Sequence, residues 1–161
     1  MARLTRALVL ATLGMIACPW PAGAASPTPS DPDQRQVLEL PPDERHLVLQ
    51  EMRSFLEAMQ EITAGLAEKD MERVSEAARR MGGRAANAIP PRVVAKLPDT
   101  FRRLAGKVHT TFDRIALDAG TMADRQLTLE QLRKLQRHCV ACHATYQIEK
   151  VPFDRASRSD S

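Results

Sequence analysis

The sequence predicts an all-α fold, in the form of an antiparallel four-helix bundle. Apolar residues recur at intervals of three and four along residues 43–150, which is the spacing of one face of a helix. Proline, glycine and capping residues divide this pattern into four long segments with short connections. Residues 41–150 contain no stretch with the apolar–polar alternation of a β-strand. Four amphipathic helices joined by short loops favour a bundle.

The first helix is predicted over residues 43–68, where an apolar seam is formed by Val48, Met52, Phe55, Met59, Ile62 and Leu66. Asp70 is the expected N-cap of the second helix. That helix should end before Pro90, with Gly82 and Gly83 loosening or kinking it on the way. Its predicted seam consists of Met71, Val74, Ala78, Met81, Ala85 and Ile89.

The third helix is predicted to open at residues 98–100, after a short extra turn over residues 92–97. Gly120 should stop it. Thr128 and Gln131 have the spacing of a capping box, which places the start of the fourth helix at Thr128. The inward residues of the third helix are Phe101, Leu104, Val108, Phe112, Ile115 and Ala119, and those of the fourth are Leu132, Leu135, Cys139, Cys142 and Tyr146.

The most specific motif is Cys139-Val140-Ala141-Cys142-His143, which is the attachment signature of c-type haem. Residues three and four apart share one face of a helix. Cys139 and Cys142 can therefore each form a thioether to a vinyl group of the same porphyrin, and His143 can bind its iron as the proximal ligand. The motif predicts one covalent haem c on the last helix.

Two other chemistries fit a Cys-x-x-Cys pair. A thiol–disulfide redox centre usually lies where a strand leads into a helix, and no strand is predicted before Cys139. A structural zinc site needs a fourth ligand, for which His46, His109 and His138 are the candidates. A disulfide within the motif would be strained by helix geometry. Zinc and thiol chemistry stay open as alternatives.

The N-terminal residues 1–24 are predicted to be a secretion signal. Arg3 and Arg6 form its positive region, residues 7–17 are apolar, and residues 22–24 form an A-x-A cleavage site. The apolar run is too short to span a bilayer. The competing interpretation is a lipobox, in which Cys18 would be lipidated. Residues 25–40 are expected to be a flexible leader, residues 41–150 the folded domain and residues 151–161 a mobile tail.

The charge excludes one class of partner. The formal net charge is +3, and removal of a signal that carries Arg3 and Arg6 lowers it to about +1. A chain with this charge and with no basic stripe between aromatic residues is not expected to bind nucleic acid. The sequence has three cysteines, and removal of the signal takes Cys18 away. Cys139 and Cys142 are then the two that remain, so no further thiol is left for a structural disulfide.

With this motif on the last of four predicted helices, residues 43–150 resemble the class II c-type cytochromes, the family typified by cytochrome c prime. The specific part of the resemblance is Cys139-Val140-Ala141-Cys142-His143-Ala144-Thr145-Tyr146, the haem block followed by an aromatic residue. The resemblance implies an exported single-haem four-helix bundle that can dimerise. Tyr146 is three residues after His143 and so shares its helix face, where it packs either on the porphyrin or in the core.

The resemblance also nominates Met52 as the sixth iron ligand, over the open face of the metal. A Met/His pair raises the reduction potential and makes the iron a closed electron carrier. Methionine at seam spacing is also common core filler, and Met59, His46 and His109 are rival candidates. His109 is expected to be a partly exposed surface residue.

Two positions depart from the family pattern. Gln147 and Val48 stand where many members have a cation near the haem propionates. Arg45, Arg53 and Lys150 are the cations that the sequence offers instead. The iron ligation does not depend on these positions.

The sequence therefore predicts a periplasmic monohaem cytochrome that exchanges electrons with periplasmic partner proteins and is not an enzyme. No paired carboxylates, nucleophile–base pair or phosphate loop is visible in it. A gas-binding protein that takes nitric oxide or carbon monoxide at a vacant sixth site is the alternative if Met52 stays off the iron.

Overall fold

The computed structural model describes residues 33–150 and is mostly helical, which confirms the predicted helical class. The predicted signal, Cys18, residues 25–32 of the leader and the tail lie outside the described residues. The elements in chain order are β1 (Gln36–Leu40), α1 (Pro42–Glu68), α2 (Met71–Arg79), α3 (Gly83–Ala86), α4 (Pro91–Val94), α5 (Asp99–Met122), α6 (Arg125–Thr145) and β2 (Tyr146–Lys150).

The ends of α1 and the start of α2 follow local rules. Pro42 occupies the first turn of α1, where its missing N–H costs nothing. Lys69 ends the helix in the left-handed conformation, with φ of 64°. The Asp70 carboxylate then accepts a hydrogen bond of 2.9 Å from the Arg73 backbone N–H, which confirms Asp70 as the N-cap of α2.

The long helices share one hydrophobic core. Helix α1 packs on α2, α2 on α5, and α5 on α6. The side chain of Phe112 is fully buried at the centre of this core. Ser75 donates a hydrogen bond of 2.7 Å to the Ala116 carbonyl, which joins α2 to α5. The core is formed by Ala58, Ile62, Leu66, Val74, Ala77, Ala78, Val108, Phe112, Ile115, Ala116, Ala119, Leu132 and Leu135.

The second predicted helix is interrupted where Gly82 and Gly83 were expected to loosen or kink it: α2 ends at Arg79, and the short helix α3 begins at Gly83. A continuous helix up to Pro90 is wrong. At the interruption, the Gly83 backbone N–H donates a hydrogen bond of 2.8 Å to the Asp113 side chain on α5. A Cβ at Gly82 would lie 1.9 Å from an Asp113 oxygen, so only glycine allows this approach. The predicted extra turn after Pro90 is present as α4.

The predicted boundary between the last two helices is also wrong. Helix α5 passes Gly120 and ends at Met122, and its C-cap Ala123 has a left-handed φ of 51°. Gly120 instead allows close packing, because a Cβ there would lie 3.0 Å from the Ser75 hydroxyl oxygen. Helix α6 starts at Arg125 and not at Thr128. Its N-cap is Asp124, whose carboxylate accepts from the backbone N–H groups of residues 126 and 127.

Two short strands correct the sequence prediction most clearly. Residues 36–40, predicted as the end of a flexible leader, form β1 and pair in parallel with β2. Tyr146, predicted on the last helix, is the first residue of β2 and is buried. The strands complete a second core with Leu38, Leu40, Val48, Ile89, Val93, Leu97, Phe101 and Tyr146.

In the described part of the chain, no helix combines the length and the apolar character needed to cross a membrane.

We expect Leu40→Ala to lower the free energy of unfolding by about 2–5 kcal/mol, because it opens a cavity beside a side chain that is only 1% exposed. The matched control is Val37→Ala on the same strand, where the residue is 37% exposed. The control should change stability by no more than about 0.5 kcal/mol. Urea unfolding followed by circular dichroism measures both. Equal small effects would mean that residues 36–40 are a leader after all.

Candidate functional site

The cavity that contains the predicted attachment motif, here called the main cavity, is lined by residues of α1, α5 and α6. It has a volume of about 430 Å³, which is within the usual range for small-molecule sites. Its walls are mostly apolar. They include Val48, Leu49, Phe55, Leu56, Phe101, Leu104, Ala105 and Val108.

Three residues of the predicted attachment motif line this cavity from α6. Cys139 and Cys142 are half-buried free thiols, and His143 is solvent-exposed beside them. Their spacing on one helix explains why all three reach the same space. These are the described residues best placed to hold a cofactor, and the structure brings together the full set that the motif predicted.

Met52 and Met59 line the same cavity from α1. A second cavity of about 310 Å³ adjoins the first and shares Leu49, Met52, Phe101, Cys142 and His143 with it. Met59 lines only the larger cavity. Met52 is therefore the methionine that lines both cavities together with His143.

The environment of the thiols disfavours thiol–disulfide chemistry. Burial raises the pKa of both Cys139 and Cys142, because an apolar setting penalises the thiolate. Reactive redox cysteines have a lowered pKa instead. Within residues 33–150, no group of three or more His, Cys, Asp or Glu side chains is arranged to hold a metal ion.

His109 corrects a prediction, because it is buried and not partly exposed. Its Nδ1 lies 2.9 Å from the Met81 carbonyl oxygen, and its Nε2 lies 3.4 Å from a Glu51 carboxylate oxygen. The ring also packs edge-on against Phe55. Both ring nitrogens therefore face acceptors, which leaves neither available to a metal in this conformation.

The charge state of His109 follows from these neighbours. Burial lowers its pKa, but the Glu51 carboxylate and the Met81 carbonyl outweigh that effect, so the pKa is raised. An imidazolium donates from both nitrogens and satisfies both acceptors, which a neutral ring cannot do. Glu51 also lines the main cavity. A carboxylate in the cavity wall is thus paired with the buried His109 ring behind it.

The two other histidines outside the motif, His46 and His138, do not line the main cavity. His46 is exposed near the start of α1. His138 is half-buried on α6, where burial and the nearby charges of Lys107 and Arg137 lower its pKa. Tyr146 lines the smaller cavity and also packs edge-on against Phe101, with 5.4 Å between ring centroids.

Sequence reasoning missed Arg35, which lines the smaller cavity beside His143. Arg35 lies within the predicted leader. The sequence signal near it is short: Glu39 separates the apolar residues Leu38 and Leu40, which is one period of a half-buried strand. Among the predicted cations, Arg53 lines the main cavity.

No family model, curated protein or solved structure matches this chain. The interpretation of the site therefore depends on its own residues.

We expect the buried pair to make stability depend on pH. The pKa of His109 is raised above about 6.5, its unfolded value. The contribution of His109 to the free energy of unfolding is therefore fully present below about pH 6.5. It is lost as the pH rises through the raised pKa of the folded state. Urea unfolding between about pH 6 and about pH 8 should show this loss in the parent protein.

The variant His109→Gln should lose this pH dependence, whereas His46→Gln, at an exposed position, should retain it. A pH profile for His109→Gln that parallels the parent protein would show that His109 does not titrate as the geometry implies.

Proposed function

We propose that this chain is an exported c-type cytochrome that carries electrons through one covalently attached haem. The observation that supports this most strongly is the convergence of Cys139, Cys142 and His143 on one apolar cavity, which Met52 also lines from α1. In this proposal α1, α2, α5 and α6 are the four helices of an antiparallel bundle, and the haem lies between α1 and α6. The site of action is the periplasm, and the partners are periplasmic redox proteins.

Bound haem would supply an iron that changes reversibly between the ferric and ferrous states. Cys139 and Cys142 would hold it through thioethers, and His143 would bind the metal from α6. Because Cys139 and Cys142 are free and half-buried, neither a disulfide nor full burial competes with attachment. The mostly apolar lining of the cavity would place the haem in a less polar setting than water, and that setting tunes the reduction potential.

Met52 is the proposed sixth ligand. It lines both cavities beside His143, whereas Met59 lines only one. Helix α1 holds Met52 against the second core, so little side-chain ordering is needed for its sulfur to bind. A thioether opposite an imidazole stabilises ferrous iron and favours electron transfer over ligand binding.

A gas-binding protein for nitric oxide or carbon monoxide is the second candidate. The cavity extends along α1 past Met52 to Phe55, Leu56 and Met59. A diatomic ligand would find apolar space there if Met52 stayed off the iron. The ligand set on α6 is the same in both proposals, so the state of Met52 decides between them.

We expect protein matured in the periplasm to carry covalent haem. A haem stain should survive denaturing electrophoresis, and intact mass should exceed that of the bare polypeptide by one haem. The double variant Cys139→Ser/Cys142→Ser should lose both signals. Val140→Ala is the matched control, because Val140 lies within the motif but is 68% exposed. A bare wild-type chain with two alkylatable thiols would refute the proposal.

We expect Met52→Ala to convert a low-spin ferric spectrum into a high-spin one, and the reduced variant to bind carbon monoxide at once. Loss of the sixth ligand should also lower the reduction potential, because the thioether stabilises the ferrous state. Met59→Ala is the matched control and should keep the parent spectrum. A high-spin parent spectrum that Met52→Ala leaves unchanged would favour the gas-binding alternative.

A further inference from the structure

Arg35 brings a positive charge to the cavity from outside the helices. Its guanidinium donates to the His143 carbonyl oxygen at 3.4 Å. Arg35 is half-buried and lines the smaller cavity together with Met52, Phe101, Cys142 and His143. Of the described residues around that cavity, Arg35 is the one that carries a permanent charge. An apolar space bounded by one guanidinium is suited to a ligand that is apolar in bulk and anionic at its edge.

The strand pair fixes Arg35 in this place. Gln36, the next residue, is in register with Tyr146 at the start of β2. The Gln147 side-chain amide donates to the Arg35 carbonyl oxygen at 3.3 Å. Leu38 and Leu40 are buried in the second core and anchor the rest of β1. The backbone of Arg35 is thus held on the segment that directly follows the attachment motif.

Haem is such a ligand, because its apolar ring bears two propionate carboxylates. Arginine binds carboxylates through charge-assisted, often bidentate, hydrogen bonds. The attraction is strong where apolar walls reduce screening by water. We propose that Arg35 forms a carboxylate-binding subsite that holds one propionate of the haem, an inference that rests on the function proposed above.

Arg53 is the competing cation, since it lines the main cavity. It is exposed on α1, where water screens its charge. Arg35 is less exposed and is fixed by both its backbone and its guanidinium. The structure therefore favours Arg35 over Arg53 as the residue that sets the charge at the edge of the haem.

The test measures the reduction potential of the exported, haem-loaded protein. A nearby cation stabilises the ferrous state, so Arg35→Gln should shift the ferrous-to-ferric ratio at a fixed applied potential at least threefold toward ferric. This corresponds to about 28 mV for one electron. Arg35→Lys should restore part of the shift, because it keeps the charge but loses the bidentate geometry. Arg53→Gln is the matched control and should change the ratio less.

A second readout is the pH dependence of the potential. Without the Arg35 charge, the propionate should take up a proton at a higher pH, so the pH-dependent step should move upward in Arg35→Gln. Circular dichroism and urea unfolding check that the variant keeps its fold. If Arg35→Gln is folded and loaded but has the parent potential and pH profile, the subsite is wrong. A larger shift in Arg53→Gln would also overturn it.

The two proposals fail in different ways. Absence of covalent haem from the wild-type protein would remove the cytochrome proposal before Arg35 is tested. Normal haem content with unchanged electrochemistry in Arg35→Gln would remove only the subsite. If Arg35→Gln is too unstable to load, Arg35→Lys decides, because it keeps the charge but loses the bidentate geometry. A partial shift toward ferric that exceeds the shift of Arg53→Gln would uphold the subsite, and the parent potential and pH profile would overturn it.

Discussion

The gap that α1, α5 and α6 leave between them is the constraint on which the site depends. Helix α1 packs on α2, α2 on α5 and α5 on α6, and two distinct cores hold α1 in place. Ile62 belongs to one core, and Val48 belongs to the other. The cavity therefore lies beside a helix that is fixed on both sides of Met52. A well-packed interior resists collapse into such a gap, because its side chains already occupy their preferred positions.

Helix α1 carries two carboxylates in its N-terminal half, and each lies against a basic side chain. Glu44 is buried and accepts from the Lys96 ammonium at 2.9 Å. Glu51 is half-buried, faces the cavity and lies against His109. A carboxylate removed from water without a partner would be costly at either place. Pairing lowers this cost and allows α1 to pack with both carboxylates turned inward.

Local rules predicted most of the helical structure. Asp70 and the seam of α1 follow from capping and from the three-to-four spacing, both of which are properties of neighbouring residues. Cys139, Cys142 and His143 were predictable as a set because helix geometry alone places them together. Met52 was nominated by resemblance alone, and its role as a ligand stays a prediction; the structure shows that it lines the same cavity as the motif.

The errors have a common physical cause, which is that distant contacts override local signals. Gly120 resembles a helix stop but serves the approach of α2, and Gly82 and Gly83 end a helix through Asp113 on α5. His109 gains its buried partners from α1 and from the residues that follow α2. In each case the deciding partner lies far away in sequence, so a short window of sequence does not show it.

The strand pair is the extreme case and explains why Arg35 was missed. Arg35 and His143 are 108 residues apart in sequence, and closing a loop of that length costs entropy that two short strands cannot offset alone. The helices must therefore bring the two ends together before β1 and β2 can pair. Once they do, the backbone ladder and the buried side chains of Leu38 and Leu40 hold β1 across the end of α6. A segment whose composition indicates a leader thus becomes ordered, because the folded helices supply both its hydrogen-bonding partner and its apolar surface.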